Sequence, residues 1–353
     1  MIPDSSELKQ NVIYMTELLK DMVYYGFCSL LLAFSIRIMK STKNIQLLNS
    51  FTIDTIPDLD VAVLGALELF QQQKLPIIDV SAYKRPLVVG SGNAEATGRI
   101  IFHTADAVFA SESNFEEKLQ SIQHIDGVVL ISASGEKHAP IIAKKAREYG
   151  KHVTLITNTQ NSSASHELDH QHEYDEYIFP KNREPYTYNT STYMGMILGY
   201  TGEDPEKLYQ FLIKSIAPLS FPDFSQFDKY YLIVPPKFDE IIRMFEVKFI
   251  ELFGRSIARD VETAEYVKHA TTVVPSNEIF ISFGEEHTTW GNPKQRLHIP
   301  LPKNADYGAM MAVGYFVISQ IQKTHPPYFK DNIELYTKQI SEIFSHTISP
   351  IVE

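Results

Sequence analysis

A single cysteine, Cys28, stands in 353 residues, and that scarcity excludes an internal disulfide framework and any cysteine-rich zinc site. A reducing, cytoplasmic setting is the expectation. Basic residues are in deficit: 32 Lys and Arg against 43 Asp and Glu leave a formal charge of −11. A general nucleic-acid binder needs the opposite, clustered Lys and Arg that neutralise phosphates. Any anionic ligand must therefore be held by a local site. Long apolar runs are missing too. The uncharged run near the N-terminus, Met22 to Ile36, has 15 residues, short of the roughly 20 that a membrane span needs. Asp4, Glu7, Glu17 and Asp21 precede it, which does not suit a signal peptide. The run reads as a buried helix or one that packs on a partner chain, and neither nucleic acid nor a membrane is expected as a partner.

What is present is an ordinary globular balance, 44% hydrophobic and 21% charged residues, in a chain long enough for two domains. From residue 86 short apolar runs alternate with helical stretches. Pro86 to Gly90, Gly127 to Ile131 and His152 to Thr157 read as buried strands; Ala94 to Phe102, Glu112 to Gln123 and Ala139 to Tyr149 read as helices. Such alternation means βαβ crossovers and a parallel sheet. Residues 201–227 hold Pro205, Pro218 and Pro222 and read as a connection. The alternation then resumes with strands at Tyr230 to Val234, Ile279 to Phe283 and Leu297 to Leu301, and helices at Phe238 to Phe253 and Tyr307 to Gln322. The fold class is α/β: two tandem, doubly wound parallel-sheet domains, 81–205 and 225–353, behind an N-terminal helical segment, 1–80.

Two strand-to-helix turns are rich in Ser and Gly. The strand ending at Ile131 runs into Ser132-Ala133-Ser134-Gly135, and Pro140 opens the next helix, where its missing N–H costs nothing. Hydroxyls, a glycine that permits close approach and free helix N–H groups make a phosphate cradle. Gly90-Ser91-Gly92 follows an earlier strand of the same sheet. Both turns then lie at the carboxyl edge, where open α/β folds bind ligands, and Ser162 adds a hydroxyl after the next strand. G-x-G-x-x-G and Walker signatures are absent.

In the second half, nine of the thirteen positions 241–253 are apolar and surround the predicted helix, which implies burial. Lys248 and Glu251 are three apart on one face of it. A carboxylate there is pushed up by desolvation and held ionised by the neighbouring ammonium, the tuning a general base requires. Downstream, Lys268-His269 supplies an imidazole able to give and take a proton near neutrality. Structural roles, as an ion pair and a surface histidine, remain open for both on these residues alone.

On these segments the chain resembles the sugar isomerase (SIS) domain superfamily. Ser132-Ala133-Ser134-Gly135 matches its Ser-x-Ser-Gly phosphate segment, and Gly90-Ser91-Gly92 occupies its first Gly-Ser/Thr loop. Glu246 to Glu251 and Lys268-His269 resemble the segments carrying the catalytic Glu and His in the isomerase domain of glucosamine-6-phosphate synthase and in bifunctional phosphoglucose/phosphomannose isomerases. The resemblance implies an aldose–ketose isomerase acting on a hexose or amino-sugar phosphate through an enediol. In that role Glu251 is the base, His269 the ring-opening acid/base contributed to a partner subunit's site, and Lys248 the group that orients Glu251 and stabilises oxyanion charge. Gly90, Ser91, Gly92, Ser132, Ser134, Gly135, Lys137 and Ser162 would bind the substrate phosphate. Neither metal nor redox cofactor is implied. Lys137 stands where the family usually has Thr, and the C-terminal lysine of glucosamine-6-phosphate synthase has only Lys338 as a candidate match. A fructosamine- or glucosamine-6-phosphate deglycase or deaminase, and a non-catalytic phosphosugar sensor, are the alternatives. A homodimer with the active site at the subunit interface follows from the same resemblance. Sedimentation velocity is expected to show a dimer; a compact monomer would remove the partner-chain role of residues 10–40.

Overall fold

The computed structural model describes residues 42–168, 174–272 and 274–353. The uncharged run 22–36 and the packing expected of residues 10–40 lie outside them.

Two helices, α1 (Lys43–Ser50) and α2 (Leu59–Gln72), precede a regular alternation: β1 (Pro86–Val89), α3 (Asn93–Ile101), β2 (Val108–Ala110), α4 (Phe115–Ser121), β3 (Gly127–Ile131), α5 (Ala139–Glu148), β4 (His152–Thr157), α6 (Ser163–Leu168) and β5 (Tyr174–Ile178). The strands form one parallel sheet in the order β2-β1-β3-β4-β5. The order reverses between β1 and β3, and ligands of such sheets bind beyond the strand ends at that switch point. After β6 (Glu184–Pro185), α7 (Thr190–Thr201) and α8 (Pro205–Phe211), a second alternation follows: β7 (Lys229–Val234), α9 (Ile242–Phe253), β8 (Ala258–Thr263), α10 (Ala264–Ala270), β9 (Glu278–Phe283), β10 (Arg296–Ile299) and α11 (Tyr307–Thr324). Its strands are also parallel, in the order β10-β9-β7-β8. Its reversal, between β7 and β9, repeats that of the first sheet. Finally α12 (Tyr328–Phe344) leads to β11 (Ile351–Val352), which pairs antiparallel with β6.

Side chains alternate across each strand, and that period divides the core. Val88, Val129, Ile131 and Ile156 of the first sheet join Leu232, Val234, Ile279 and Ile281 of the second in a single buried cluster that includes α2, α7 and α11. Leu87, Val89, Val128, Leu130 and Leu155 face the other way, onto Leu119 of α4 and Ile142, Ala143 and Ala146 of α5. The central helices lie between two sheets and are correspondingly apolar: all but three residues of the 18-residue α11 are buried. Among the described residues no helix is long and apolar enough to cross a membrane.

The structure departs from the sequence reading in five places. Helix α9 starts at Ile242 rather than Phe238. Pro236 to Ile241 form a 3-10 turn interrupted by Phe238 (φ −115°, ψ 27°), following the two prolines that cannot donate helical hydrogen bonds. Nor is α9 buried all round, since Arg243 and Ile250 are exposed, Ile250 by 41%. The presumed connection 201–227 contains α8 and a π-helical turn, Leu212–Ile216. Residues 258–263, where the pattern predicts no element, form the edge strand β8. The helix α12 lies beyond the last element read from the pattern.

Gly314 of α11 marks where the central helices meet most closely. A Cβ there would come within 2.0 Å of the Phe245 ring on α9, and Phe245 is fully buried. Helix propensity alone makes Gly→Ala favourable by about 1 kcal/mol, whereas overpacking costs about 1–3 kcal/mol. Gly314→Ala is expected to lower Tm in thermal denaturation; a rise would mean that propensity outweighs this contact.

Candidate active site

The centre of the candidate site is a fully buried ammonium. Lys248 has no solvent exposure, and its Nζ donates to the carbonyls of Thr187 (2.5 Å) and Tyr188 (2.8 Å) and to Oε2 of Glu251 (2.7 Å). Three donors meet three acceptors, so no N–H of Lys248 is left over. The helix spacing of three puts the two side chains on one face, as the sequence implied. The Glu251 side chain keeps 17% exposure. Burial pushes its carboxyl above the usual glutamate range, opposed by the charge and hydrogen bond of Lys248 and by Asn93.

The carbonyls that hold Lys248 are presented by an unusual backbone. Thr187 has φ +78° and Asn189 φ +46°, and a β-branched residue at positive φ stores about 1–3 kcal/mol of strain. Neighbouring groups impose it. Glu184, itself buried, accepts the N–H groups of Thr190 (2.6 Å) and Ser191 (2.8 Å) at the start of α7. Its carboxyl is also raised by burial, with Lys248 among the groups opposing the shift, so the ammonium serves two carboxylates. The Tyr188 hydroxyl donates to the Pro57 carbonyl (2.8 Å) and accepts from Gln322 (2.9 Å), whose Oε1 receives the Leu59 N–H (2.9 Å).

The two Ser/Gly turns approach this cluster from the first sheet. They follow β1 and β3, neighbours on either side of the switch point with Val89 opposite Leu130. Gly90 is required by close approach: a Cβ would meet Ala94 C and Glu95 N at 2.8 Å. Asn93, the residue after Gly90-Ser91-Gly92, is buried and donates from Nδ2 to Glu251 Oε1 at 3.4 Å. Its Oδ1 has no hydrogen-bond partner among the described residues. The first turn therefore touches the carboxylate directly.

The second turn is closed by its own hydroxyls. Gly135 N–H donates to Ser132 Oγ (3.1 Å) and Glu136 N–H to Ser134 Oγ (3.3 Å). Gly135 has φ +66°, and a Cβ on it would fall 2.3 Å from Ser162 Oγ, so glycine is needed for both conformation and space. Ser134 and Ser91 are exposed. Ser162 is placed differently from its expected role at the open edge. It is 1% exposed and its Oγ accepts the Ser165 N–H (3.2 Å), capping α6 from within. Lys137 points its Nζ at the Phe344 ring, 4.6 Å from the centroid, which brings the end of α12 over this turn.

His269 is not part of the cluster. It is exposed on α10, whose Val267 packs on the outer face of the second sheet with Tyr231 and Phe280, and nothing joins it to Glu251. Lys338 is exposed on α12. Sequence reasoning missed Asn93 and Glu184. Asn93 continues the Gly-Ser-Gly turn it had singled out, and Glu184 precedes a helix that lacks a side-chain cap of its own. Among the described residues there is no group of three or more His, Cys, Asp or Glu that could hold a metal ion.

This geometry can be set beside known proteins. No family model and no curated protein matches the sequence. Solved structures do match. The C-terminal domain of glucosamine-fructose-6-phosphate aminotransferase from Francisella tularensis aligns over 77% of this chain and 97% of its own, with a TM-score of 0.55 and 12% identity. Tagatose-6-phosphate ketose/aldose isomerase from Escherichia coli aligns over 75% and 88%, with a TM-score of 0.52 and 13% identity. The chain shares their fold, parallel sheets flanked by helices, and at such identities the likeness carries that architecture alone.

The raised carboxyl of Glu251 fixes the direction of a pH effect. The native state holds this proton to higher pH than the unfolded chain. The stability it contributes is therefore full below the ordinary glutamate value and falls as pH rises from that value through the native one. Lys248→Met removes the cation that opposes the shift. Carbon-13 titration of Glu251 is expected to give a midpoint above the ordinary value in the wild type and a higher one in Lys248→Met; equal midpoints would show that the pair is not coupled.

Proposed function

We propose that the protein is a sugar-phosphate isomerase that interconverts an aldose and a ketose, with a hexose or amino-sugar phosphate as substrate. The observation that carries this reading is the Asn93–Glu251 hydrogen bond, which joins the Ser/Gly turns of the switch point to a carboxyl that burial makes basic. Phosphate is held by the second turn, Ser132 to Gly135, and by the N-terminal N–H groups of α5, with Gly90, Ser91 and Gly92 beside it. Lys137 and Ser162 support that turn from either side. A phosphate dianion anchored there is a few ångströms, one strand spacing, from the turn that reaches Glu251.

Glu251 removes the proton from the carbon next to the carbonyl and returns it to the neighbouring carbon, passing through an enediol. Burial raises its proton affinity towards the working pH, which favours both halves of the transfer. Lys248 keeps it ionised between turnovers and fixes its orientation. The exposed His269 opens the sugar ring in a partner subunit's site, so the working unit is a homodimer, in the cytoplasm, and the reaction uses no cofactor.

Glu251→Gln keeps the shape and hydrogen-bonding length of the side chain but loses the base. With a panel of glucose, mannose, fructose and glucosamine 6-phosphates followed by NMR, kcat is expected to fall at least about 100-fold, while binding of the phosphosugar is retained. Wild-type rates in this variant would refute the assignment. Release of an amine instead of an isomerised sugar would identify a deglycase or deaminase, and binding without turnover in the wild type a sensor.

A further inference from the structure

An isomerase must also move a proton between the two substrate oxygens, and the groups already named are occupied. The Lys248 ammonium has spent all three N–H bonds on Thr187, Tyr188 and Glu251. Asn93 has turned its amide towards the carboxylate. His269 and Lys338 are exposed on α10 and α12.

Four tyrosines, Tyr186, Tyr193, Tyr315 and Tyr336, feel the charge of the Glu251 carboxylate. Tyr193 and Tyr315 are buried, at 8% and 1% exposure, with Lys248 Nζ 5.2 Å from the Tyr315 ring centroid. They are walls. Tyr186 is half-buried and Tyr336 is 37% exposed; their ring centroids are 6.1 Å apart. Neither hydroxyl has a hydrogen-bond partner among the described residues. Of the two, Tyr186 is the one whose backbone runs directly into the turn that holds Lys248. Its N–H donates to the Pro350 carbonyl (2.8 Å), continuing the β6–β11 pairing, and the next residue is Thr187, whose carbonyl receives Lys248. Just before β6, Lys181 donates to the Glu353 carbonyl and Arg183 pairs with the Glu353 carboxylate at 3.5 Å, so with the Pro350 contact residues 350–353 hold the segment both before and after β6.

We propose that Tyr186 is a catalytic residue, its hydroxyl carrying the proton between the two oxygens of the enediol. The role rests on the isomerase reading above. The step balances within the site. As Glu251 takes the C2 proton of the aldose, the C1–C2 double bond forms and the carbonyl oxygen at C1 takes the phenolic proton, giving the enediol and a phenolate. The phenolate then takes the proton from the C2 hydroxyl, the C2=O bond forms, and the electron pair released at C1 accepts the proton from Glu251. Both residues end as they began. Burial and the charge of Glu251 raise the Tyr186 phenol, so it remains a neutral donor while the carboxylate is ionised, the pairing this chemistry needs.

The test follows the same sugar 6-phosphate panel in D2O by proton NMR, for the wild type, Tyr186→Phe, Tyr336→Phe and Glu251→Gln, with thermal denaturation to confirm folding. Loss of the relay leaves the C–H step possible but the oxygen step slow, so the intermediate returns to the starting sugar. In Tyr186→Phe, kcat is expected to fall about 100-fold with KM nearly unchanged, and the ratio of C2 deuterium incorporation to product to rise at least about 10-fold. Tyr336→Phe, which keeps the ring, is expected to behave as the wild type, and Glu251→Gln to lose exchange and product together. Wild-type turnover in Tyr186→Phe, or exchange and product falling there in equal proportion, would overturn the role, as would the same signature arising from Tyr336→Phe instead. A wild type that neither exchanges nor converts any of the four sugars would overturn the isomerase reading itself, and this role with it.

Discussion

A cation without solvent is the constraint on which the site depends. Removing the Lys248 ammonium from water costs several kcal/mol unless its protons are accepted and its charge is opposed. The chain supplies two carbonyls and one carboxylate within 2.5–2.8 Å, and a second carboxylate, Glu184, opposes the charge from beyond them. Each acceptor commits another part of the molecule. The carbonyls require positive φ at Thr187, that turn requires Glu184 at the head of α7, and Tyr188 requires Pro57 and Gln322. The surroundings of one ammonium thus tie together the segment before α2, the start of α7 and Gln322 in the last turn of α11.

On the proposed reading, an acidic chain holds its anion at a local site. Its net charge of −11 describes the surface as a whole, whereas the Ser/Gly turns offer backbone N–H groups, hydroxyls and the end of α5 at one switch point. The two sheets contribute different things. One brings the turns after β1 and β3; the other brings α9 with Lys248 and Glu251. They share a buried helical layer in which a single methyl group at Gly314 has no room, so the distance between cradle and carboxylate is set by packing rather than by a flexible joint.

Legibility followed burial. Strand β3 is apolar over its length and β4 is buried from Val153 to Thr157, because both faces of each are covered, and their Val, Leu and Ile residues marked them. Strand β8, Ala258–Thr263, is an edge strand with only Val261 and Thr263 buried, so its ARDVET sequence carries no strand pattern. Helix α12 buries just Phe329, Ile333 and Thr337, too narrow a stripe to stand out from a polar sequence. At the site, the Lys248–Glu251 pair was visible because two charges in an apolar helix demand a partner. Ser162 was read as a phosphate ligand from its place after a strand, where a serine serves equally as a cap, and the cap it forms is the 3.2 Å bond from the Ser165 N–H.

By itself the sequence determined the class of fold, the two Ser/Gly turns, and the pairing of Lys248 with Glu251, because each is local: strand and helix periods, a turn of four residues, a helical spacing of three. The tertiary structure alone decided that Asn93 meets Glu251 across 158 residues of sequence, that Glu184 and the Thr187 turn enclose Lys248, that His269 is displayed on another face, and that Tyr186 and Tyr336, 150 positions apart, share a wall beside the carboxylate. Those relations depend on how sheets and helices pack in three dimensions. No period or spacing along the chain encodes them, and the chemistry of the site depends on them as much as on its two charged residues.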